Sequence, residues 1–427
     1  MQSHTAPEPS PLSAPLLSRE VPKSSAPSGA GADPLAIYIH WPFCQSKCPY
    51  CDFNSYARRT ISEEQYLEAA LSELDHYAAE TRGRPLSSIF FGGGTPSLMM
   101  PHTVGELLDK IAALWPVESA CEVTLEANPS SVESDRFEGY RIAGVNRVSL
   151  GVQSLSDEQL RFLGRLHTAA EARQALEVAG RYFERISFDL IYARPGQTEF
   201  EWRLELREAL ALARRHLSLY QLTIEPETAF FDLYRRGKLS VPGADLSADL
   251  YTLTQEMCEA AGLPAYEVSN HAAPGQESRH NLIYWRYGDY LGIGPGAHGR
   301  LTAGARKYAT AAEKAPAAWY AKVNECGSGC EEHFELHPRQ QAEEAVLMGL
   351  RLREGLDLAA LSAKTGFSPA LQVIAPLEEE DLLRRDGDWL RATMQGRLVL
   401  NALVEAIAAG LEERASSLVL SNSRSES

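Results

Sequence analysis

From Leu35 onward the chain alternates short apolar runs with capped amphipathic segments, and this alternation restricts it to a parallel sheet wrapped by helices. Six runs, at 35–40, 87–91, 121–126, 147–151, 185–192 and 217–224, are rich in Ile, Val, Phe and Tyr, as strands buried on both faces are. Between them, Ser62-Glu63-Glu64-Gln65, Thr103-Val104-Gly105-Glu106, Ser156-Asp157-Glu158-Gln159, Thr168-Ala169-Ala170-Glu171 and Thr198-Glu199-Phe200-Glu201 fit the capping box. In that box a hydroxyl and a later Glu or Gln satisfy free backbone N–H groups at a helix start. After Ser62, the residues Leu67, Ala70, Leu71 and Leu74 fall on one helical face, and after Thr198 so do Trp202, Leu206, Ala209, Leu210 and Ala213. Strands joined by crossover helices pair in parallel. Six such units build either a doubly wound sheet or an incomplete barrel, and periodicity alone does not choose.

A length of 427 residues suggests two or three domains. Residues 1–34, rich in Pro, Ser and Ala, read as a disordered tail. Residues 35–235 hold the βα units, and 236–335 form a mixed segment with a strand near Tyr266–Ser269. Residues 336–415 read as a C-terminal helical domain, and 416–427 as a flexible tail. In that domain we expect helices at 340–353, 357–365 and 368–384, strands at 389–392 and 397–400, and a last helix at 402–413. Helices followed by a small hairpin resemble a winged-helix module, a frequent DNA binder. Here the run Glu378-Glu379-Glu380-Asp381 and a net charge of −16 oppose a nucleic-acid partner, because phosphate binding needs a basic face. No apolar run approaches the length of a membrane span. Seven cysteines with no export signal point to a reducing cytoplasm.

Cys44, Cys48 and Cys51 lie in YIHWPFCQSKCPYCDF, directly after the first strand, with C-x3-C-x2-C spacing. Three thiolates can hold three irons of a cubane 4Fe–4S cluster and leave the fourth open to a small molecule, whereas an electron-carrying cluster takes four protein ligands. Structural zinc wants four Cys or His ligands, and none follows at finger spacing. An odd number of cysteines makes a disulfide framework a poor reading. Phe91-Gly92-Gly93-Gly94-Thr95-Pro96 follows the second strand. It is either a tight βα turn or a place where backbone approaches a ligand closely. Glu126, Gln153, Arg165 and Asp189 sit at or near the ends of later strands, where ligands of parallel α/β folds gather. Asp189 lies inside an apolar strand, and a carboxylate buried there requires a donor or a ligand.

The strings YIHWPFCQSKCPYCDF, FFGGGTPS, LEANP, RVSLGVQS, LGRLH, FDLIY and RHNLIYW follow in one order across most of residues 35–410. In that order the chain resembles the radical S-adenosylmethionine (SAM) family that includes the oxygen-independent coproporphyrinogen III oxidases and their heme-chaperone relatives. The resemblance implies an α/β fold with a six-unit (β/α) partial barrel, a cluster on Cys44, Cys48 and Cys51, and SAM on the open iron. It assigns Tyr38, Gly93, Gly94, Thr95 and Glu126 to SAM, with Thr95-Pro96 replacing the acidic end of the GGE-type motif. Gln153, Arg165 and Asp189 match positions that hold a second SAM in the oxidases. The loop after Asp189, usually YGLPGQ, reads YARPGQ, so Arg194 changes its size and charge.

Two features favour the chaperone branch. Phe53 stands where the oxidases carry a further Cys, and the N-terminal tail lacks the ordered segment used in decarboxylation. A third is His280-Asn281-Leu282-Ile283-Tyr284-Trp285, which resembles the HNxxYW motif associated with heme. Neutral imidazole suits heme iron, and Tyr284 and Trp285 offer flat apolar surface. His298 is a second candidate ligand. Cys326 and Cys330 make a weak two-ligand metal signal, while Cys121 and Cys258 read as small buried residues. The resemblance thus implies a heme chaperone that serves apo-proteins such as respiratory enzymes. It leaves a homodimer and transient membrane association open. The alternative is an oxidase that abstracts hydrogen from a coproporphyrinogen propionate and releases carbon dioxide.

Overall fold

The computed structural model describes residues 34–58, 61–304 and 306–413; the tails expected at 1–34 and 416–427 fall, apart from Pro34, outside the described residues. The expected strands form as β1 (Leu35–Trp41), β2 (Leu86–Gly93), β3 (Val117–Ala127), β4 (Arg147–Gln153), β5 (Arg185–Tyr192) and β6 (His216–Gln221). They lie side by side in sequence order, each pair parallel. This order decides the winding: a doubly wound sheet reverses direction beside its first strand, whereas here every crossover advances the same way, as in a barrel.

The mixed segment extends both edges. β7 (Asn270–Ala272) pairs antiparallel with β6, a few residues beyond the strand expected near Tyr266–Ser269. β8 (Asp289–Ile293) pairs parallel with β1, and β9 (His298–Ala303), β10 (Arg306–Ala312) and β11 (Cys330–Leu336) continue antiparallel.

The strands are not apolar on both faces, contrary to expectation. Ile37, Ile89, Phe91, Val123, Leu125, Val148, Leu150, Phe188 and Leu190 belong to the main hydrophobic core. The alternate residues, Ser88, Glu122, Thr124, Arg147, Ser149, Ser187 and Ser218, are also buried but polar. Period-two alternation sends the two sets to opposite faces, so the barrel's inner face is polar and lines a lumen.

Reciprocal capping boxes at Thr168 and Thr198 start α3 (Ala169–Tyr182) and α4 (Glu199–Leu212) as expected. α1 (Glu63–Thr81) follows Ser62 without a side-chain cap bond. α2 (Pro101–Leu114) begins two residues before Thr103, with Pro101 at its first position. Proline is pre-organised for that position, and the Thr103 hydroxyl donates instead to Glu63. The middle segment adds α5 (Ala244–Ala260) and α6 (Arg279–Trp285).

The C-terminal domain has its own core, with Val346, Leu361, Ile374, Leu390 and Ile407. Its helices Pro338–Gly349, Leu358–Thr365 and Leu371–Glu379 precede a hairpin of β13 (Leu383–Asp386) and β14 (Trp389–Ala392), with β12 (Leu356–Asp357) on the far side of β14. This order is winged-helix-like. The strand expected at 397–400 does not form: Met394–Leu398 is helical, and the Thr393 hydroxyl accepts the Gly396 N–H at 3.0 Å. The wing instead turns at the two-residue loop Gly387-Asp388, closed by the Asp386–Trp389 pair, with Gly387 at φ +59°, a hairpin loop that places Gly first. Among the described residues no helix is long and apolar enough to cross a membrane.

Candidate cofactor site

The three cysteines occupy the loop that leaves β1, at the end of the barrel where ligands of parallel folds bind. The glycine turn after β2 is sewn to this loop. Gly94 N–H donates to the Trp41 carbonyl at 2.7 Å, and Thr95 N–H to the Phe43 carbonyl at 2.9 Å. A Cβ on Gly94 would sit 2.7 Å from the Phe43 carbonyl oxygen, so a side chain there would separate the two loops.

All three thiols are free, and each has a polar neighbour. The Thr95 hydroxyl lies 3.5 Å from Cys44 Sγ, an Arg165 guanidinium nitrogen 3.4 Å from Cys48 Sγ, and the Ser55 hydroxyl 3.9 Å from Cys51 Sγ. Burial pushes the Cys44 and Cys51 thiols up, so metal binding there releases protons. The cysteines line a cavity of about 740 Å³ together with Gly93, Gly94 and Thr95. Among the described residues no three His, Cys, Asp or Glu side chains are grouped for a single metal ion. Three thiols spread around a cavity fit a multi-iron cluster, in which each sulfur takes its own iron.

Arg165 is fixed by more than the sulfur: it also donates to the Gly151 carbonyl at 2.8 Å and to Asn128. Gln153 ends β4 at a register shift, with φ +71°, a conformation that costs a non-glycine residue on the order of 1 kcal/mol. Glu126 and Asp189 line both this cavity and a second one, of about 760 Å³, that continues into the lumen. Gly93 N–H donates to Glu126 at 3.3 Å. Burial, reinforced by Asp189, pushes Glu126 up to about 8. Burial likewise raises Asp189 to about 6, against opposing help from Ser218 and Arg147.

These shifts carry a sign. A carboxyl whose folded-state pKa lies above its unfolded value holds an extra proton when folded, so its contribution to stability is lost as pH rises through the folded pKa. Glu126, Asp189 and Glu73, the last raised to about 7 by burial, all act this way. Buried histidines such as His216, His271 and His280, lowered by the same burial, act in the opposite sense, so the effect is read one residue at a time. In the cofactor-free protein, Glu126→Gln should lose less Tm than the parent between pH 6 and pH 8, read by scanning fluorimetry; an identical loss in both would show the Glu126 carboxyl ionised at no cost.

Tyr38 lies in the lumen rather than in the cluster cavity. His40 Nε2 donates to the Asn54 carbonyl at 2.9 Å, leaving Nδ1 to accept from the Tyr38 hydroxyl at 2.9 Å. Deeper in the lumen sits His280, on α6. Its ring stacks on Phe90 at 4.9 Å and stands 6.2 Å from Tyr38. Its Nδ1 is 3.1 Å from the Ser88 hydroxyl. Ser88 and Gly93 are five residues apart on β2, so His280 lies roughly 16 Å below the glycine turn at about 3.3 Å per residue. Burial lowers His280 to about 4, which keeps it neutral. Tyr284, one helical turn on, also lines the lumen, whereas Trp285 lines a separate pocket against the C-terminal domain. His298 lines the lumen near its mouth.

Arg194 does not enter either cavity. It is buried against Glu205 and the Ser154 hydroxyl, the latter at 2.7 Å, so the altered YARPGQ loop spends its charge on α4. Cys121 and Cys258 are buried as expected. Sequence reading missed Glu122, which holds the start of α6: its carboxylate accepts from the Ser278 hydroxyl and from the N–H groups of Arg279 and His280, at 3.3, 3.0 and 3.3 Å, and pairs with Arg185. The available signal was Glu122, Thr124 and Glu126 at alternate positions of one strand.

Residues 38–209 match the model of the Radical SAM superfamily, and 336–399 that of the HemN C-terminal domain. The chain is 39% identical to the heme chaperone HemW of Escherichia coli over 88% of its length and 98% of the relative's. It is 37% identical to the mitochondrial Radical S-adenosyl methionine domain-containing protein 1 of Bos taurus, over 92% and 90%. In structure it resembles the coproporphyrinogen III oxidase HemN of E. coli, with a TM-score of 0.74 and 23% identity over 88% of this chain and 90% of that one, which is a likeness of fold.

Proposed function

This chain belongs to the radical SAM family of the HemW heme chaperones, and on that premise we propose that it binds heme and delivers it to apo-proteins. The family's cofactors are a 4Fe–4S cluster and SAM. Cys44, Cys48 and Cys51 would hold the cluster, which when bound supplies one-electron chemistry and an iron open to SAM. Gly93, Gly94, Thr95 and Glu126 border that space. Gln153, Arg165 and Asp189 line the same cavity, and Tyr38 lines the lumen that continues from it.

The observation that carries the heme assignment is His280 facing a polar lumen continuous with the cluster site. A metal-bound histidine donates its other ring N–H to a partner. Nδ1 lies 3.1 Å from the Ser88 hydroxyl, within reach to donate to it, which would leave Nε2 for iron. Phe90 and Tyr284 offer aromatic surface to a macrocycle. Lys47 and Lys314, at the lumen mouth, suit its propionates. A volume near 760 Å³ lies within the range of small-molecule sites. The reducing cytoplasm suits the free thiols, and we place the protein there. Oxidase chemistry is less favoured, because the chaperone relatives are 35–39% identical and HemN shares the fold at 23%.

Hemin titration of the holoprotein tests this reading. Loss of a mere second-shell partner commonly weakens metal binding 10–100-fold, so His280→Ala should weaken hemin binding at least about tenfold and reduce the Soret band. Unchanged affinity would remove His280 from the site.

A further inference from the structure

Away from the barrel mouth, a cavity of about 530 Å³ opens between α5 and the C-terminal wing, and four arginines line it: Arg353, Arg384, Arg391 and Arg397. Two carboxylates, Glu259 and Asp381, share the lining. Arg353 and Arg391 are paired with Glu259 and Asp386, and Arg397 lies beside Tyr251 and Glu267, so the cation that needs a cause is Arg384. Arg384 and Arg391 are direct cross-strand partners of β13 and β14, so their side chains leave the same face side by side. Like charges so placed are destabilising. Arg391 is partly occupied, donating to the Glu354 carbonyl at 2.9 Å and pairing with Asp386 at 3.1 Å. Arg353 forms a two-pronged pair with Glu259. Arg384 has no side-chain hydrogen bond or ion pair among the described residues. A second observation lies on the barrel side: Gln255, on α5, also lines the cavity, and its buried Nε2 has no acceptor. A buried donor without a partner costs free energy.

We propose that this cavity is a binding site for a compact phosphate-class anion, held by Arg384, Arg391 and Arg397 and by the Gln255 amide. Guanidinium forks match phosphate oxygens two at a time, and a bound anion relieves the Arg384–Arg391 repulsion. The acidic run Glu378-Glu379-Glu380, just before the wing, repels an extended polyanion such as nucleic acid and leaves a small one as the occupant. The ligand would touch Gln255 on the barrel and the arginines of the wing, and so tie the C-terminal domain to the barrel. This assignment is independent of heme and of the cluster.

The test is thermal unfolding of the full chain with sodium pyrophosphate, against sodium chloride at equal ionic strength. At a hundredfold excess over Kd, pyrophosphate should raise Tm by about 3 °C. The rise should vanish in Arg384→Gln/Arg391→Gln, whose ligand-free Tm should fall slightly with the loss of the Glu354 and Asp386 contacts of Arg391. Arg384→Gln alone, which loses no partner, guards against misfolding and should lose most of the rise. No shift, an equal shift with chloride, or a shift that survives in both variants overturns the proposal. Flotation with phosphatidylglycerol vesicles separates the sources: vesicle binding lost in the variants, with no pyrophosphate effect, would overturn the soluble ligand proposed.

Discussion

Cys48→Ala is expected to empty the cluster site. After anaerobic reconstitution, iron should fall from about four per chain to near zero, and the broad visible absorption of the cluster should go with it. With one of three thiolates removed, a second iron lacks a protein ligand, and two sulfurs do not hold a cubane that already has one open corner. The loss extends to Arg165, whose guanidinium is 3.4 Å from Cys48 Sγ and would keep only Gly151 and Asn128 as acceptors. Cys326→Ala, at an exposed cysteine that does not line the cluster cavity, should retain full iron. Because Cys48 is only half-buried, the cofactor-free variant should unfold within about 1 kcal/mol of the parent in urea. Retained iron in Cys48→Ala, or stoichiometric zinc in the parent with no iron uptake, would contradict the assignment.

That site was legible in the sequence because its parts are local. Three cysteines and a glycine run carry their chemistry in residue type and spacing, and each follows a strand whose Ile, Val and Phe content marks it. The helix starts divide for a physical reason. Thr168 and Thr198 close reciprocal boxes on Glu171 and Glu201. Thr103 looks the same in sequence, but Pro101 can occupy only the first turn, and so begins the helix earlier. The wing was misplaced because Arg397–Leu400 is apolar enough for a strand, while the deciding signal, Gly387-Asp388, lies about ten residues upstream. The polar lumen was harder to see. Ser88, Thr124, Ser149, Ser187 and Ser218 are small and sit between strong apolar neighbours, so each strand reads as a continuous buried run. Their common purpose appears only when neighbouring strands are aligned, since the register that brings them together is a long-range property. His280 shows the same limit: the motif names the residue, but its depth below the cluster follows from α6 folding back beneath the barrel.

The anchor of that helix gives the largest expected effect on stability. Glu122→Ala should destabilise the protein by about 3–5 kcal/mol, the cost of removing one partner of a buried ion pair, measured by urea unfolding. Arg185 would be left as a half-buried, unpaired cation; it also donates to the carbonyls of Gln276 and Glu277, at 3.2 and 2.8 Å, which hold it in place. The N–H groups of Arg279 and His280, the orphan donors of a helix start, would lose the carboxylate that satisfies them. Glu122→Gln keeps an acceptor for those donors and gives up the charge, so it should lose less. The two effects separate in hemin binding. If Glu122 acts by setting the position of α6, hemin affinity should fall in Glu122→Ala although His280 and Ser88 are intact, and should recover in large part in Glu122→Gln. A variant that is destabilised but binds hemin as the parent does would show that Glu122 supports the barrel alone and that the ligand site does not depend on where α6 begins.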